Sequence, residues 1–256
     1  MLKKDFQDFK NFVFDLDGTF WYWDELTPGA KELFEFLVKE GKGVYFVSNN
    51  SMLAPHHYDE KLKELGVEVD ERMVTCSVEV IVEYLKTKGI RKIFCLSRPE
   101  VTDFFSKSGF EITEDAECVV VTYHDIEEGE IKKASEIALR GVPVITNARG
   151  KVWALKGRNL PGVGVIVEKV EKMSGKKART VAKPSEFLAG YIDKKYSLDP
   201  EKTVFFGDSL NSDLVFARMM GWKFAFVLTG HYTREDMDKR EDKPDYVLET
   251  LEEVLE

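Results

Sequence analysis

The chain has 256 residues, with 37 basic and 46 acidic side chains, a formal charge of −9 and 43% apolar content. That acidity argues against nucleic-acid and membrane-surface partners, whose phosphates it would repel, and the apolar fraction is ample for a buried core and excludes disorder. No apolar run approaches the roughly 18 residues of a membrane span, the N-terminal residues form no signal-peptide core, and three scattered cysteines without a CxxC pair (Cys76, Cys95, Cys118) read as reduced thiols of a cytoplasmic protein.

Short apolar runs alternate with helical patterns from end to end, the signature of βαβ units on a parallel sheet. Phe12-Val13-Phe14 reads as a buried strand. A helix follows, with Thr27 as N-cap, Pro28 at N1, Leu33, Phe34 and Leu37 on one face, and Gly41 as its stop. Residues 43–47 read as a second buried strand and 56–65 as a helix closed by Gly66. Then come a helix at 80–88, a strand at 92–96 and a helix at 101–108. Strands at 118–123 and 142–146 flank a helix at 131–139, and another helix spans 163–173. Three short strands follow at 180–182, 204–206 and 224–228, with helices at 185–196 and 212–220 between them.

The first strand runs into Asp15-Leu16-Asp17-Gly18-Thr19. Carboxylates at i and i+2 beside a glycine, at the carboxyl end of a parallel strand, stand where open α/β sheets bind ligands. The plain alternative is an Asp-Gly turn. Chemistry explains the spacing: one carboxylate can attack a phosphoryl group and hold it as an aspartyl phosphate. The second can protonate the leaving oxygen and then activate water. Phosphate and nucleophile are both anionic, so the attack needs a cation between them, and Mg²⁺ on carboxylates, carbonyls and water suits that task.

Such chemistry needs partners on later strand ends. Ser48-Asn49-Asn50 closes the second strand with a hydroxyl and two amides that can donate to phosphate oxygens. Lys183 follows the strand at 180–182 and precedes Pro184, which puts an ammonium beside a helix start. A buried strand at 204–206 leads to Gly207-Asp208, with Asp213 five residues on. Asp208 can ligate Mg²⁺; Asp213 can hold a metal-bound water, orient Lys183 or simply favour the first turn of a helix.

Together these four elements resemble the haloacid-dehalogenase (HAD) superfamily. Pro28-Gly29-Ala30, Pro161-Gly162-Val163-Gly164, Leu228-Thr229-Gly230 and Lys243-Pro244-Asp245-Tyr246-Val247 extend the resemblance to its NagD-like, para-nitrophenylphosphatase branch over nearly the whole chain. The resemblance implies an α/β fold, a Rossmann-like core with a parallel sheet and an inserted α/β cap of the C2 type. The expected division is a core of 1–76 and 180–256 with a cap of 77–179. It also implies Asp15 as nucleophile, Asp17 as acid/base, and Ser48, the Asn49 backbone and Lys183 as phosphate ligands. Asp15, the Asp17 carbonyl and Asp208 are the implied Mg²⁺ ligands, with Asp213 beside them.

One loop departs from the branch. Arg149 stands where relatives commonly carry an acid, followed by Lys151, Lys156 and Arg158. It reads either as a solvated basic loop or as a site for an anionic substrate tail, with Arg149 as the contact. Trp21-Tyr22-Trp23 reads as a hairpin flap or as ordinary packing, and Phe20 as core. His56, His57, His124 and His231 lack metal-ligand spacing, and no P-loop, complete dinucleotide loop or G-x-S-x-G elbow occurs. The expected activity is Mg²⁺-dependent hydrolysis of a small phosphomonoester in the cytoplasm. A phosphotransferase or phosphomutase, and a non-catalytic phosphometabolite-binding protein, are the alternatives. The expected partner is that small molecule, with no nucleic acid and no membrane; a homodimer is compatible with the sequence.

Overall fold

β1 (Asn11–Phe14) is enclosed on both faces, as a strand at the centre of a parallel sheet must be. The computed structural model describes residues 1–123, 125–155 and 158–256; His124 and Lys156 lie outside these, as does the side chain of Arg158. After β1 come α1 (Ala30–Lys39), β2 (Gly43–Ser48), α2 (Tyr58–Glu64), β3 (Val74–Cys76) and α3 (Ser77–Thr87). The middle of the chain forms β4 (Lys92–Leu96), α4 (Pro99–Lys107), β5 (Glu111–Ile112), β6 (Cys118–Val121) and α5 (Glu128–Leu139). It continues through β7 (Val144–Thr146), β8 (Val152–Leu155), β9 (Arg158–Pro161), α6 (Gly164–Ser174) and β10 (Arg179–Thr180). The last stretch holds α7 (Glu186–Tyr196), β11 (Thr203–Gly207), α8 (Asp213–Met220), β12 (Lys223–Val227), α9 (Arg234–Asp238) and β13 (Tyr246–Leu248).

Two parallel sheets result. The first has the order β13-β12-β11-β1-β2-β3, and the chain moves from β1 to β2 on one side but returns to β11 on the other. That reversal opens a crevice at the carboxyl ends of β1, β2 and β11, where doubly wound sheets bind ligands. Behind it the aromatics pack tightly: Phe14 stacks on Phe206 at 4.8 Å, and Phe20 meets Phe46 edge-on at 4.9 Å. Phe20 and Trp21 are fully buried. The second sheet, β10-β7-β6-β4-β5, is built entirely from residues between β3 and α7, with β8 and β9 as a separate antiparallel hairpin.

Several elements differ from the sequence reading. Thr27 does not cap α1: its hydroxyl donates to the Thr19 carbonyl at 2.6 Å, and Gly29 takes the N-cap position. The strand expected at 180–182 on the core sheet is instead β10, paired with β7 in the inserted sheet. Among the described residues the inserted stretch holds five sheet strands and a hairpin rather than three strands, because β5 and β10 span only two residues each. Such short strands are made by their neighbours rather than by a local pattern. The three cysteines are unpaired, and burial pushes the Cys76 and Cys118 thiols up to about 12. Among the described residues no helix is long and apolar enough to cross a membrane.

Helix α3 is moored to α7. Glu79 accepts from Lys195 Nζ at 2.8 Å and from the Tyr191 hydroxyl, and Lys195 also donates to the Val74 carbonyl and Thr75 Oγ1, each at 3.0 Å. The inserted sheet rests on the loop after β2: Ser51 Oγ donates to the Thr122 carbonyl at 2.6 Å, and Asn147 Nδ2 to the Asn49 carbonyl at 2.7 Å.

Candidate active site

Asp15 is placed by extending the β1–β11 ladder, its amide donating to the Phe206 carbonyl at 2.9 Å. Its carboxylate accepts from Lys183 Nζ at 2.6 Å. The same ammonium reaches the Val47 carbonyl at 2.6 Å and Asp213 Oδ1 at 2.9 Å, so its three hydrogens are all engaged and its side chain is fully buried. Asn49 fixes the lysine's backbone rather than pointing at the cavity: its Nδ2 donates to the Lys183 carbonyl at 2.8 Å and its Oδ1 accepts from the Lys183 amide at 2.7 Å. The Asn49 main-chain carbonyl accepts from Asn147 Nδ2 at 2.7 Å.

Ser48 Oγ accepts from the Asn50 amide at 3.0 Å, which leaves its own hydrogen to donate. Asp213 opens α8, where its carboxylate accepts from the Ser209 amide at 3.1 Å as well as from Lys183. Asp208 accepts from the His231 amide at 3.0 Å. Gly18 explains the glycine of the first motif: at φ +82° it takes a conformation that L side chains rarely adopt, and a Cβ there would stand 2.8 Å from Asp208 Oδ2. Gly230 approaches more closely still, since its Cβ would fall 1.8 Å from Asp208 Oδ2. Gly230→Ala is therefore expected to displace Asp208 and lower kcat/KM at least about tenfold, of the order of losing one charge-assisted contact; an unchanged kcat/KM would show that Asp208 tolerates the shift.

Asp17 sits apart from this ion-paired group. Trp21 Nε1 donates to its Oδ1 at 3.2 Å and Asn50 Nδ2 to its Oδ2 at 2.8 Å, and the Trp153 indole from the β8–β9 hairpin donates as well. Burial raises its pKa against these donors. Burial also pushes Asp15 well up, against the pull of Lys183, and Asp208 up to about 7, with Asp213 adding to the effect. For Lys183, burial opposes the charge but Asp15 and Asp213 outweigh it and raise the value.

Carboxylate oxygens of Asp15, Asp208 and Asp213 lie within 4.8 Å of one another. This donor set fits a hard divalent cation with oxygen ligands. One lysine does not balance the buried acids around it: burial is the main reason Asp15 and Asp208 are raised, and the neighbouring acids add to it. Because Asp213 already serves Lys183 and the Ser209 amide, Asp15 and Asp208 are the carboxylates better placed to hold an ion.

All of these acids line one cavity of about 650 Å³, closed on its far side by Thr122, Asn147, Arg149 and Trp153 of the inserted stretch. Arg149 Nη2 donates to Glu171 at 2.5 Å and to the Ala178 carbonyl at 2.9 Å, so the two Nη2 hydrogens, of the five on its guanidinium, serve the protein itself. His57 pairs with Glu60 and Glu100, away from the cavity. Sequence reasoning did not single out Trp153, which carries no local signal, nor the roles of Asn50 and Gly230, although both lie in stretches that carry the family resemblance.

Comparison with known proteins agrees with this geometry. Residues 12–111 match the family of haloacid dehalogenase-like hydrolases, and residues 180–254 match a HAD-hydrolase-like family. The chain belongs to the haloacid dehalogenase-like hydrolases. Within them it falls in the NagD and 4-nitrophenylphosphatase branch: a 4-nitrophenylphosphatase from Thermotoga maritima superposes with a TM-score of 0.88 at 31% identity, covering 96% of each chain. A p-nitrophenyl phosphatase from Archaeoglobus fulgidus superposes with a TM-score of 0.86 at 27% identity, over 96% of this chain and 98% of the other. By sequence, the sugar-phosphatase AraL of Bacillus subtilis is 26% identical over 94% of this chain and 90% of its own length. Mouse chronophin is also 26% identical, over 95% and 91%.

Proposed function

We propose that the protein is a Mg²⁺-dependent phosphatase that hydrolyses a small phosphomonoester through an aspartyl phosphate on Asp15. The observation that carries this reading is the separation of two buried carboxylates two residues apart. Asp15 is ion-paired to Lys183 beside two further acids, while Asp17 is hydrogen-bonded by neutral donors. Different surroundings for paired carboxyls are how one acts as nucleophile and the other as acid. Similarity to proteins named phosphatases supports the same class.

Mg²⁺ held by Asp15, Asp208 and the Asp17 carbonyl would neutralise charge between nucleophile and phosphate. In the first step Asp15 attacks phosphorus as the bond to the leaving oxygen breaks, and Asp17 gives that oxygen its proton. The Ser48 hydroxyl and the Asn49 backbone N–H donate to the phosphoryl oxygens, and the charge of Lys183 beside Asp15 draws them in. Asp17, now a carboxylate, then takes a proton from water, which attacks phosphorus and breaks its bond to Asp15. The division into a core of 1–76 and 180–256 and a cap of 77–179 belongs to this reading. The two separate sheets support it, although α3 straddles the line through its tie to α7. Free thiols fit action in the reducing cytoplasm.

The test is release of inorganic phosphate from a panel of phosphomonoesters with Mg²⁺ and with EDTA, with an added sugar as competing acceptor. Metal-dependent release to water supports the reading. Dominant transfer to the sugar would make the protein a phosphotransferase, and inactivity across the panel would leave a binding protein.

A further inference from the structure

Among the described residues, Asp17 is the cavity acid with a hydrogen bond from the inserted stretch. Its two core donors, Trp21 and Asn50, hold one oxygen each. The third donor, the Trp153 indole, comes from β8 on the far side of the cavity. Trp153 is not loosely placed. Its ring stands edge-on to Trp23 at 6.3 Å and 89°, and Trp23 is held by Trp21 at 6.0 Å and by Lys61 Nζ 5.0 Å above its ring. The base of the hairpin is clamped too: the Gly162 amide donates to the Lys151 carbonyl at 2.8 Å, the Gly164 amide to the Gly150 carbonyl at 3.0 Å, and Arg149 ties to Glu171 on α6. The indole is therefore fixed from two sides, by the core aromatics at its ring and by the inserted stretch at the base of its hairpin.

We propose that Trp153 is a positioning residue for Asp17, fixing the carboxyl in the attitude that serves the leaving oxygen, so that Asp17 is fully held only while the inserted sheet is seated. This rests on the reading of Asp17 as proton donor. A neutral N–H suits the task. It stabilises the carboxylate that forms as the proton departs, and it neither titrates nor competes for a cation. It adds to the two core donors a third that comes from the inserted stretch.

The contribution should depend on the leaving group. A nitrophenolate departs without a proton, whereas the alkoxide of a simple alcohol needs one. Trp153→Phe keeps the ring and its contact with Trp23 but removes the N–H. Measured on the full chain with Mg²⁺, it is expected to lower kcat/KM, which reports the steps up to departure of the leaving group and not the later attack of water, about tenfold on the alkyl phosphate that wild type turns over fastest, the loss of part of a general-acid effect. On 4-nitrophenyl phosphate kcat/KM should fall less than about threefold, with the melting temperature little changed. Asp17→Asn should show the same split, larger. Equal losses on both esters would mean that the substitution merely displaces the hairpin, and no loss on the alkyl ester would mean that the indole is idle; either outcome overturns the proposal. If Asp17→Asn itself shows no split while wild type hydrolyses both esters, the acid assignment is what fails, and the role of Trp153 falls with it.

Discussion

Asp15→Asn is expected to lower kcat by more than about a thousandfold, because the amide cannot form the covalent phosphoryl intermediate and the other groups act only around that bond. The fold should survive. Lys183 would keep its contacts to Asp213 at 2.9 Å and to the Val47 carbonyl at 2.6 Å, so no buried ammonium is stranded. The substitution also removes one anion from a crowded group in which Asp208 and Asp213 repel it. Circular dichroism and a melting curve like those of wild type, with no phosphate release, is the expected pair of results; turnover retained in the variant would refute the nucleophile. Lys183→Met makes the contrast. It strands Asp15 and Asp213 without their shared cation, and should cost about 3–5 kcal/mol of stability, as breaking a buried pair does.

Stability without a divalent cation should fall as pH rises from about 4 to about 7. In the fold Asp208 keeps its proton up to about 7, against an ordinary value of 3.8. Between those two values the unfolded chain has released a proton that the folded chain still holds, so raising the pH favours unfolding until Asp208 ionises in both states. Asp15 is raised for the same reason and adds to the slope. Mg²⁺ should change the picture. At a hundredfold excess over Kd it would stabilise by about 2.7 kcal/mol, and, because it needs ionised ligands, its effect should grow with pH and oppose the decline. Melting curves from pH 5 to 7 with EDTA and with Mg²⁺ check both statements. A flat profile in EDTA would contradict the buried acid cluster, and the absence of any shift with Mg²⁺ would contradict the metal site.

Much of the site was legible because the chemistry demands particular residues at strand ends. Asp15, Ser48 and Asp208 each follow an apolar run too continuous to have a wet face, so both the strand and the position of the acid or hydroxyl could be read together. Lys183 is legible by its place before Pro184, but the strand ahead of it reads as part of the core and pairs instead in the inserted sheet. Arg179 and Thr180 pair with Ile145 and Thr146, an alignment that no local pattern announces. Thr27 looked like a cap because hydroxyls favour that position, yet tertiary structure gave its hydroxyl to Thr19. Trp153 was invisible for a different reason. Its hairpin lies among residues that a sequence reads as a basic loop, and only the packing of the inserted stretch against the core brings the indole to Asp17.

The mooring of α3 has a mechanical consequence. With its first turn bolted to α7, α3 is anchored to the core sheet's own helix although it lies within the inserted stretch. The return connection is short: β10 belongs to the inserted sheet, and Lys183 lies only three residues beyond Thr180. The Asn49 amide grips the main chain of Lys183 by both its N–H and its carbonyl, so the register of the lysine is set by the loop after β2 and not only by the strand that precedes it.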